Sequence, residues 1–371
     1  MKVAITHDYM RDYRGGEKVV RAMHEVWPDS PVYTAVLDRE KLQKQGWDLS
    51  GVRIRVSFLQ SLWYPLRNKI PRYYFTLFYI PAFLSFNFKK FDVLLSSASY
   101  AGNYIRKKKA LHISYIHTPP RFMYGYDTDI NVKRMNLIER PLALFFKGLL
   151  RHFDQWMAKD IDFFIANSEV VRARIKEAYG RDATVIYPPV ETARFQGTSQ
   201  DQGYFFITSA LGEYKKVDIV VQAFNQLGLP LKVAGDGPQF ANLQKMAKGN
   251  IEMLGRVSEE DLEKLLLGCR AFIFPSEEDF GITAVEAMAA GKPVIAYQAG
   301  GALETVLDGK TGLFFDRQTP QSLVATIQSF NPRQFKLSDC RAQAAKFDKE
   351  IFKQKIKHFV EAAASGKIDR L

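Results

Sequence analysis

Short, nearly all-apolar runs alternate along this chain with stretches whose apolar residues recur every three or four positions. The first kind fits a parallel strand buried on both faces, and the second a helix packed against it. The pattern therefore predicts an α/β fold. Strands are expected at 3–6, 91–96, 113–117, 162–167 and 184–187, with a helix at 16–24 after the first strand. Pro188-Pro189 then breaks the pattern, because neither residue can donate to a ladder or continue a helix. Beyond it the alternation restarts, with strands at 204–208, 231–234, 271–274 and 294–297 and helices at 217–227, 258–267 and 321–329. A last helix at 348–364 carries Ile351, Phe352, Ile356, Phe359 and Val360 on one face.

Two Rossmann-like halves facing a cleft are the natural assembly, with residues 1–189 in one and 190–347 in the other. Ligands in such sheets bind beyond the carboxyl ends of the strands. The length of 371 residues, too much for one ordinary core, agrees with two domains. Cys269 and Cys340 are too few for a disulfide framework and lack metal-ligand spacing, so a reduced, cytoplasmic setting is expected. Met1-Lys2 runs straight into the first strand, and no signal peptide is expected. Residues 73–88 carry no charge but are too short to span a bilayer comfortably, and Pro81 interrupts them.

Charge changes the picture more. Residues 51–150 hold 16 Lys and Arg against 4 Asp and Glu, which equals the whole net charge of +12. Ten aromatic residues lie between Trp63 and Phe88 in the same region. This mixture suits peripheral contact with an anionic membrane. Nucleic acid would attract the same charge, but no binding motif accompanies it. Helices with apolar cores and solvated basic rims would give the same composition.

The densest chemistry lies at 276–288. Glu278 and Glu286 flank Phe280-Gly281-Ile282, which follows a strand and opens a helix. Free N–H groups at a helix start attract phosphate oxygens, and ionised carboxylates accept hydrogen bonds from sugar hydroxyls. The combination is a grip for a nucleotide-sugar; an acidic loop that merely caps a helix is the plainer reading. Elsewhere Gly15-Gly16 follows the first strand, and adjacent glycines let backbone approach a ligand closely. His117 stands at a strand end before Thr118-Pro119-Pro120, with His7 a lesser candidate at the end of the first strand. Lys215 and Lys216 open a helix, where a cation can neutralise a leaving diphosphate.

The order of these pieces resembles the retaining glycosyltransferases of family 4, which have the GT-B fold. Glu278 and Glu286 fall at the acidic positions of the Glu-x7-Glu signature. Ala289-Ala290-Gly291-Lys292-Pro293, Gly300-Gly301-Ala302-Leu303-Glu304 and Asp308-Gly309-Lys310-Thr311-Gly312 continue the pattern. The resemblance implies an N-terminal acceptor-binding domain, a C-terminal nucleotide-sugar domain, and a tail helix, 348–371, crossing back onto the first. It implies that Glu286 holds the ribose, Glu278 the hexose hydroxyls, and the backbone of Phe280, Gly281 and Ile282 the sugar or phosphates. Lys215 would stabilise the diphosphate and His117 would contact the transferred sugar. Gly15, Gly16 and Gly235-Asp236-Gly237-Pro238 would lie near the donor, and Arg256 and Val257 would meet its base.

One position departs from the pattern. Where the family usually has an arginine five residues before the lysine, this chain has Ala210. Lys216 or Arg256 would have to substitute, or Lys215 would act with the helix start alone. No metal or cofactor is expected beyond the donor, and Asp127-Thr128-Asp129 is not taken as a metal site. The sequence thus points to a retaining, metal-independent hexosyltransferase. UDP-glucose is favoured over GDP-mannose as donor, although no residue decides between them. The acceptor would be a saccharide or lipid-linked saccharide of an envelope or extracellular polysaccharide. A non-catalytic nucleotide- or glycan-binding protein on the same fold is the alternative, supported by Ala210.

Overall fold

The computed structural model describes residues 1–66, 76–126, 139–198 and 200–368. They form two compact units, Met1–Pro189 with Phe352–Leu371 and Val190–Ile351. The first unit is built on a seven-stranded sheet of β1 (Val3–His7), β2 (Val32–Thr34), β3 (Ile54–Val56), β4 (Val93–Ala98), β5 (Leu111–Ile116), β6 (Phe163–Ala166) and β7 (Thr184–Val185). Its order is β3-β2-β1-β4-β5-β6-β7, with every pair parallel. β1 and β4 are buried along their whole length, which is why their sequences, apart from His7 at the end of β1, read as apolar or small-residue runs.

The second unit repeats the plan with β8 (Phe205–Thr208), β9 (Leu231–Ala234), β10 (Ile251–Gly255), β11 (Ala271–Phe274), β12 (Val294–Tyr297) and β13 (Gly312–Phe315). The order is β10-β9-β8-β11-β12-β13, again all parallel. In both sheets the chain builds outward from the first strand, then returns to that strand's other side. The strand order reverses between β1 and β4 in one unit and between β8 and β11 in the other. Loops leaving these neighbours diverge to opposite faces, and that opens a crevice at the carboxyl edge.

Local signals set the helix ends. Ser168 accepts from the Val171 N–H at the start of the helix Glu169–Tyr179, and Gly180 ends it in the left-handed conformation. Ser258 caps the helix Glu259–Gly268 in the same way through the Asp261 N–H. The tail helix Lys349–Ala364 buries Phe352, Ile356, Phe359 and Val360 in the core of the first unit, among Val3, Ile5 and Tyr115. Short strands β2, β3 and β13 and the helices Leu59–Leu66, Thr76–Leu84 and Glu139–Ala158 go beyond the elements expected from periodicity.

The aromatic run also needs correction as a membrane signal. Trp63, Tyr79, Phe83 and Phe88 are core residues, at most 4% exposed, and pack with Leu94 and Tyr104 against the first sheet. Tyr64 and Phe78 do reach solvent, while Tyr73, Tyr74 and Phe75 lie outside the described residues. Among the described residues no helix is long and apolar enough to cross a membrane.

Candidate active site

At the carboxyl end of β1 the chain places His7 and Asp8. The buried Asp8 carboxylate accepts from the backbone N–H groups of Ser99 (2.8 Å), Tyr100 (3.1 Å) and Gly102 (2.7 Å). These bonds tie the end of β1 to the loop after β4. Burial pushes the Asp8 carboxyl above its usual range, and His7 with the three amides offsets only part of that push.

His7 Nδ1 meets the Ser97 carbonyl, which can only accept, so Nδ1 carries a proton. Its Nε2 faces Glu17 Oε1 at 3.7 Å. The second Glu17 oxygen accepts from the Arg14 N–H at 3.1 Å, at the start of the helix Gly15–Val26. Burial by itself would lower the His7 pKa; the hydrogen bond and charge of Glu17, with Asp8 and the Ser97 carbonyl, outweigh it and leave the pKa raised.

Gly16 lies directly over this cluster. A Cβ there would stand 3.2 Å from His7 Cε1 and 3.6 Å from His117 Nε2. His117 follows β5, with its ring edge-on to His7 at 6.2 Å between centroids. Its Nε2 is 2.9 Å from Ser97 Oγ, and Asn167 Nδ2 donates to its carbonyl at 3.0 Å. Enclosure by protein and the neighbouring His7 press the His117 pKa down to about 3, so this imidazole is neutral at physiological pH.

The second sheet presents a different pair at the equivalent place. Lys215, past β8, and Glu278, past β11, form an ion pair, their side chains 15% and 21% exposed. Ser276 Oγ lies 3.0 Å from the Glu278 oxygen that faces Lys215. The Gly301 N–H donates to the Glu278 carbonyl at 2.8 Å. A Cβ on Gly301 would fall 2.3 Å from Phe280 Cα, so the loop after β12 clamps the acidic segment backbone to backbone. Gly281 takes φ +91° at the start of the helix Ile282–Ala289, in which Glu286 is buried. Gly235 takes φ +127°, and any Cβ there would strike the Ser209 carbonyl oxygen at 1.8 Å.

From the sequence Lys215 is expected to open the long helix, and the structure corrects this. Lys215 closes a short 3₁₀ turn, Glu213–Lys215; Lys216 follows at φ +54°, and the helix begins at Val217. Arg256 and Val257 lie just past β10, with Arg256 exposed. The Gly235 N–H donates to the Gly255 carbonyl at 2.7 Å, which joins that loop to the glycine turn. Asp127 and Asp129 lie outside the described residues. Among the described residues no group of three or more potential ligands is gathered for a metal.

The structure thus brings Gly15, Gly16, His7 and His117 together in the first unit, and Lys215, Glu278, Phe280 and Gly281 together in the second. It adds Asp8, Glu17, Ser97 and Asn167 to the first cluster. Glu17 had a signal, three residues after Arg14 at a helix start, where a carboxylate reaches back to free N–H groups. Ser97 and Asn167 had none, because their partners are 20 or more residues distant.

Comparisons with known proteins agree with this architecture. The model for Glycosyltransferase Family 4 matches residues 13–194, and that for Glycosyl transferases group 1 matches 190–347. The uncharacterized glycosyltransferase MJ1178 of Methanocaldococcus jannaschii is 31% identical over 182 residues, 48% of this chain and 52% of that protein. The D-rhamnosyltransferase WbpZ of Pseudomonas aeruginosa is 30% identical over 210 residues, 53% of this chain and 54% of that one. The chain spans about half the length of these curated relatives. Anabaena HepE, solved in complex with UDP and glucose, shares the fold at a TM-score of 0.70 and 18% identity, covering 98% of this chain and 100% of its own. With both halves matched and the two-sheet fold shared, the chain belongs among the GT-B glycosyltransferases.

Proposed function

We propose that this protein is a retaining glycosyltransferase that moves a hexose from a nucleotide diphosphate sugar to a saccharide or lipid-linked saccharide. The observation that carries the reading is the Lys215–Glu278 pair at the switch point of the second sheet. A lysine there can take the charge of a departing diphosphate, and a carboxylate beside it can accept from hexose hydroxyls. Glu286 is assigned to the ribose, the backbone of Phe280 to Ile282 to the sugar or phosphates, and Arg256 and Val257 to the base. Gly15, Gly16 and Gly235 allow close backbone approach. Neutral His117 is assigned to the transferred hexose, where it can exchange hydrogen bonds without adding charge.

No strong base stands beside Glu278 among these assignments, which suits front-face departure. The bond from the anomeric carbon to the diphosphate oxygen breaks, the acceptor oxygen bonds to the same face, and the leaving phosphate takes the acceptor's proton. No metal or further cofactor enters this scheme. Lys215 carries the leaving charge without the arginine that Ala210 replaces, with Lys216 next in the chain. The complex of HepE with UDP and glucose supports a uridine donor with glucose as the first to try.

The acceptor belongs, in this reading, to an envelope or extracellular polysaccharide built at the inner face of the cytoplasmic membrane. Support comes from the basic 51–150 region and from Phe58, Leu62, Leu77 and Phe78, each more than half exposed. Binding to anionic vesicles at low salt tests this part, and failure to bind removes it.

Thermal-shift and calorimetric titration with UDP, GDP, UDP-glucose and GDP-mannose tests the donor site. Stabilisation by one nucleotide family, followed by sugar-dependent release of free nucleotide, is the expected result. Absence of binding at millimolar concentration would give the non-catalytic reading precedence.

A further inference from the structure

Glu17 and His7 have no part in the assignments above, yet they are buried together directly beneath the glycine turn. Glu17 uses one oxygen to hold the Arg14 N–H and turns the other toward His7. His7 is fixed from its far side by the Ser97 carbonyl. Gly16 leaves so little room above the His7 ring that a Cβ there would stand 3.2 Å from its Cε1. Any change in the His7–Glu17 contact therefore reaches the Gly15–Gly16 backbone through Arg14 and through the ring itself.

We propose that Glu17 and His7 are a positioning pair for the Gly15–Gly16 turn: their buried ionic contact holds the turn over His117, and loss of the charge on His7 releases it. The claim for catalysis rests on the transferase reading above; the claim for the turn does not. Among the described residues, Asp8 just past β1, Glu17 from the helix and His117 past β5 are the titratable groups facing His7, and β4 presents the Ser97 carbonyl. Glu17 and Asp8 both favour the imidazolium. The direction follows: the pair is intact below the raised His7 pKa and is lost as pH rises through it.

The test follows the His7 imidazole and the Gly15 and Gly16 amides by NMR in the whole protein, between about pH 5 and pH 9. Beside it, kcat/KM is measured over the same range with UDP-glucose or GDP-mannose, whichever turns over. His7 should titrate above its ordinary value of about 6.5. Both glycine amides should shift with the same midpoint, and kcat/KM should decline through it. Glu17→Gln keeps an acceptor for the Arg14 N–H but removes the charge, so all three midpoints should fall together by about one unit or more. His7→Gln should leave the amides without a titration and kcat/KM without this alkaline limb. The proposal is overturned if the glycine amides ignore His7, or if Glu17→Gln leaves the His7 midpoint in place. If neither sugar nucleotide turns over, that result counts against the transferase reading and not against the pair, which the NMR series alone still decides. If His7→Gln does not fold, the Glu17→Gln series carries the same decision.

Discussion

Both sheets reverse their strand order at one place, and both set a basic side chain against a carboxylate there, but the two contacts are built differently. His7 and Glu17 are 6% and 7% exposed, so neither can leave the other without stranding a polar group in the interior. Lys215 and Glu278 are 15% and 21% exposed, so water or a ligand can replace either partner. Burial converts the same chemistry from an exchangeable contact into a structural one. It also makes the first pair sensitive to pH, because enclosing an imidazole ties its protonation to the packing around it. The second pair is held in place from outside: glycine backbones pressed against Phe280 and the Glu278 carbonyl fix the loop that carries Glu278.

Substituting a clamping glycine should give the largest effect. Gly301→Ala forces a Cβ into the Phe280 backbone, and we expect a loss of more than about 3 kcal/mol in urea unfolding of the second unit. Near-normal stability would mean that the loop is not the clamp described. Next, Asp8→Ala removes the acceptor of three amides at the end of β1. About 3 kcal/mol should be lost, since each stranded buried donor costs about 1 kcal/mol or more and water relieves only some of them.

Glu278→Gln tests the contrast from the other side. The fold should melt nearly as the parent does, while transfer falls about 100-fold, equivalent to about 2.7 kcal/mol in the barrier. Retained activity would remove Glu278 from the hexose. The smallest effect concerns acid. His112 is buried with its pKa pushed down to about 3, chiefly by burial and then by Lys107. A histidine held neutral in the fold binds its proton more readily when unfolded, so stability should fall as pH drops below about 6.5. His112→Gln should make the decline of Tm between about pH 6.5 and pH 5 shallower; an unchanged slope would locate the acid sensitivity elsewhere.

Much of the architecture was legible in the chain. Strands buried on both faces must be apolar throughout, and helices packed on one side must repeat every three to four residues. β1, β8, β9, β11 and β12 therefore stood out, as did the break at Pro188-Pro189. β2 and β3 did not, because three residues carry too little pattern to distinguish a strand from a loop. Motifs within one loop were equally visible: Gly15-Gly16, and Glu278 with Phe280 and Gly281, are neighbours along the chain. Spacing also placed Glu286 on the helix that Gly281 opens.

Composition was less informative about place. The aromatic residues after Trp63 looked alike in the sequence, yet some fill the core beside β4 and others face solvent, because helix rotation and not residue type decides which face is covered. The same holds at the two switch points. That Lys215 would meet Glu278 across 63 residues, or His7 meet Ser97 across 90, depends on which strands become neighbours. Local periodicity and turn chemistry act within a few residues and so are written in the chain itself. Pair contacts, burial and the pKa shifts that burial causes arise only when distant strand ends are brought to one edge, and at this protein's candidate site those long-range terms separate a buried positioning pair from an exchangeable one.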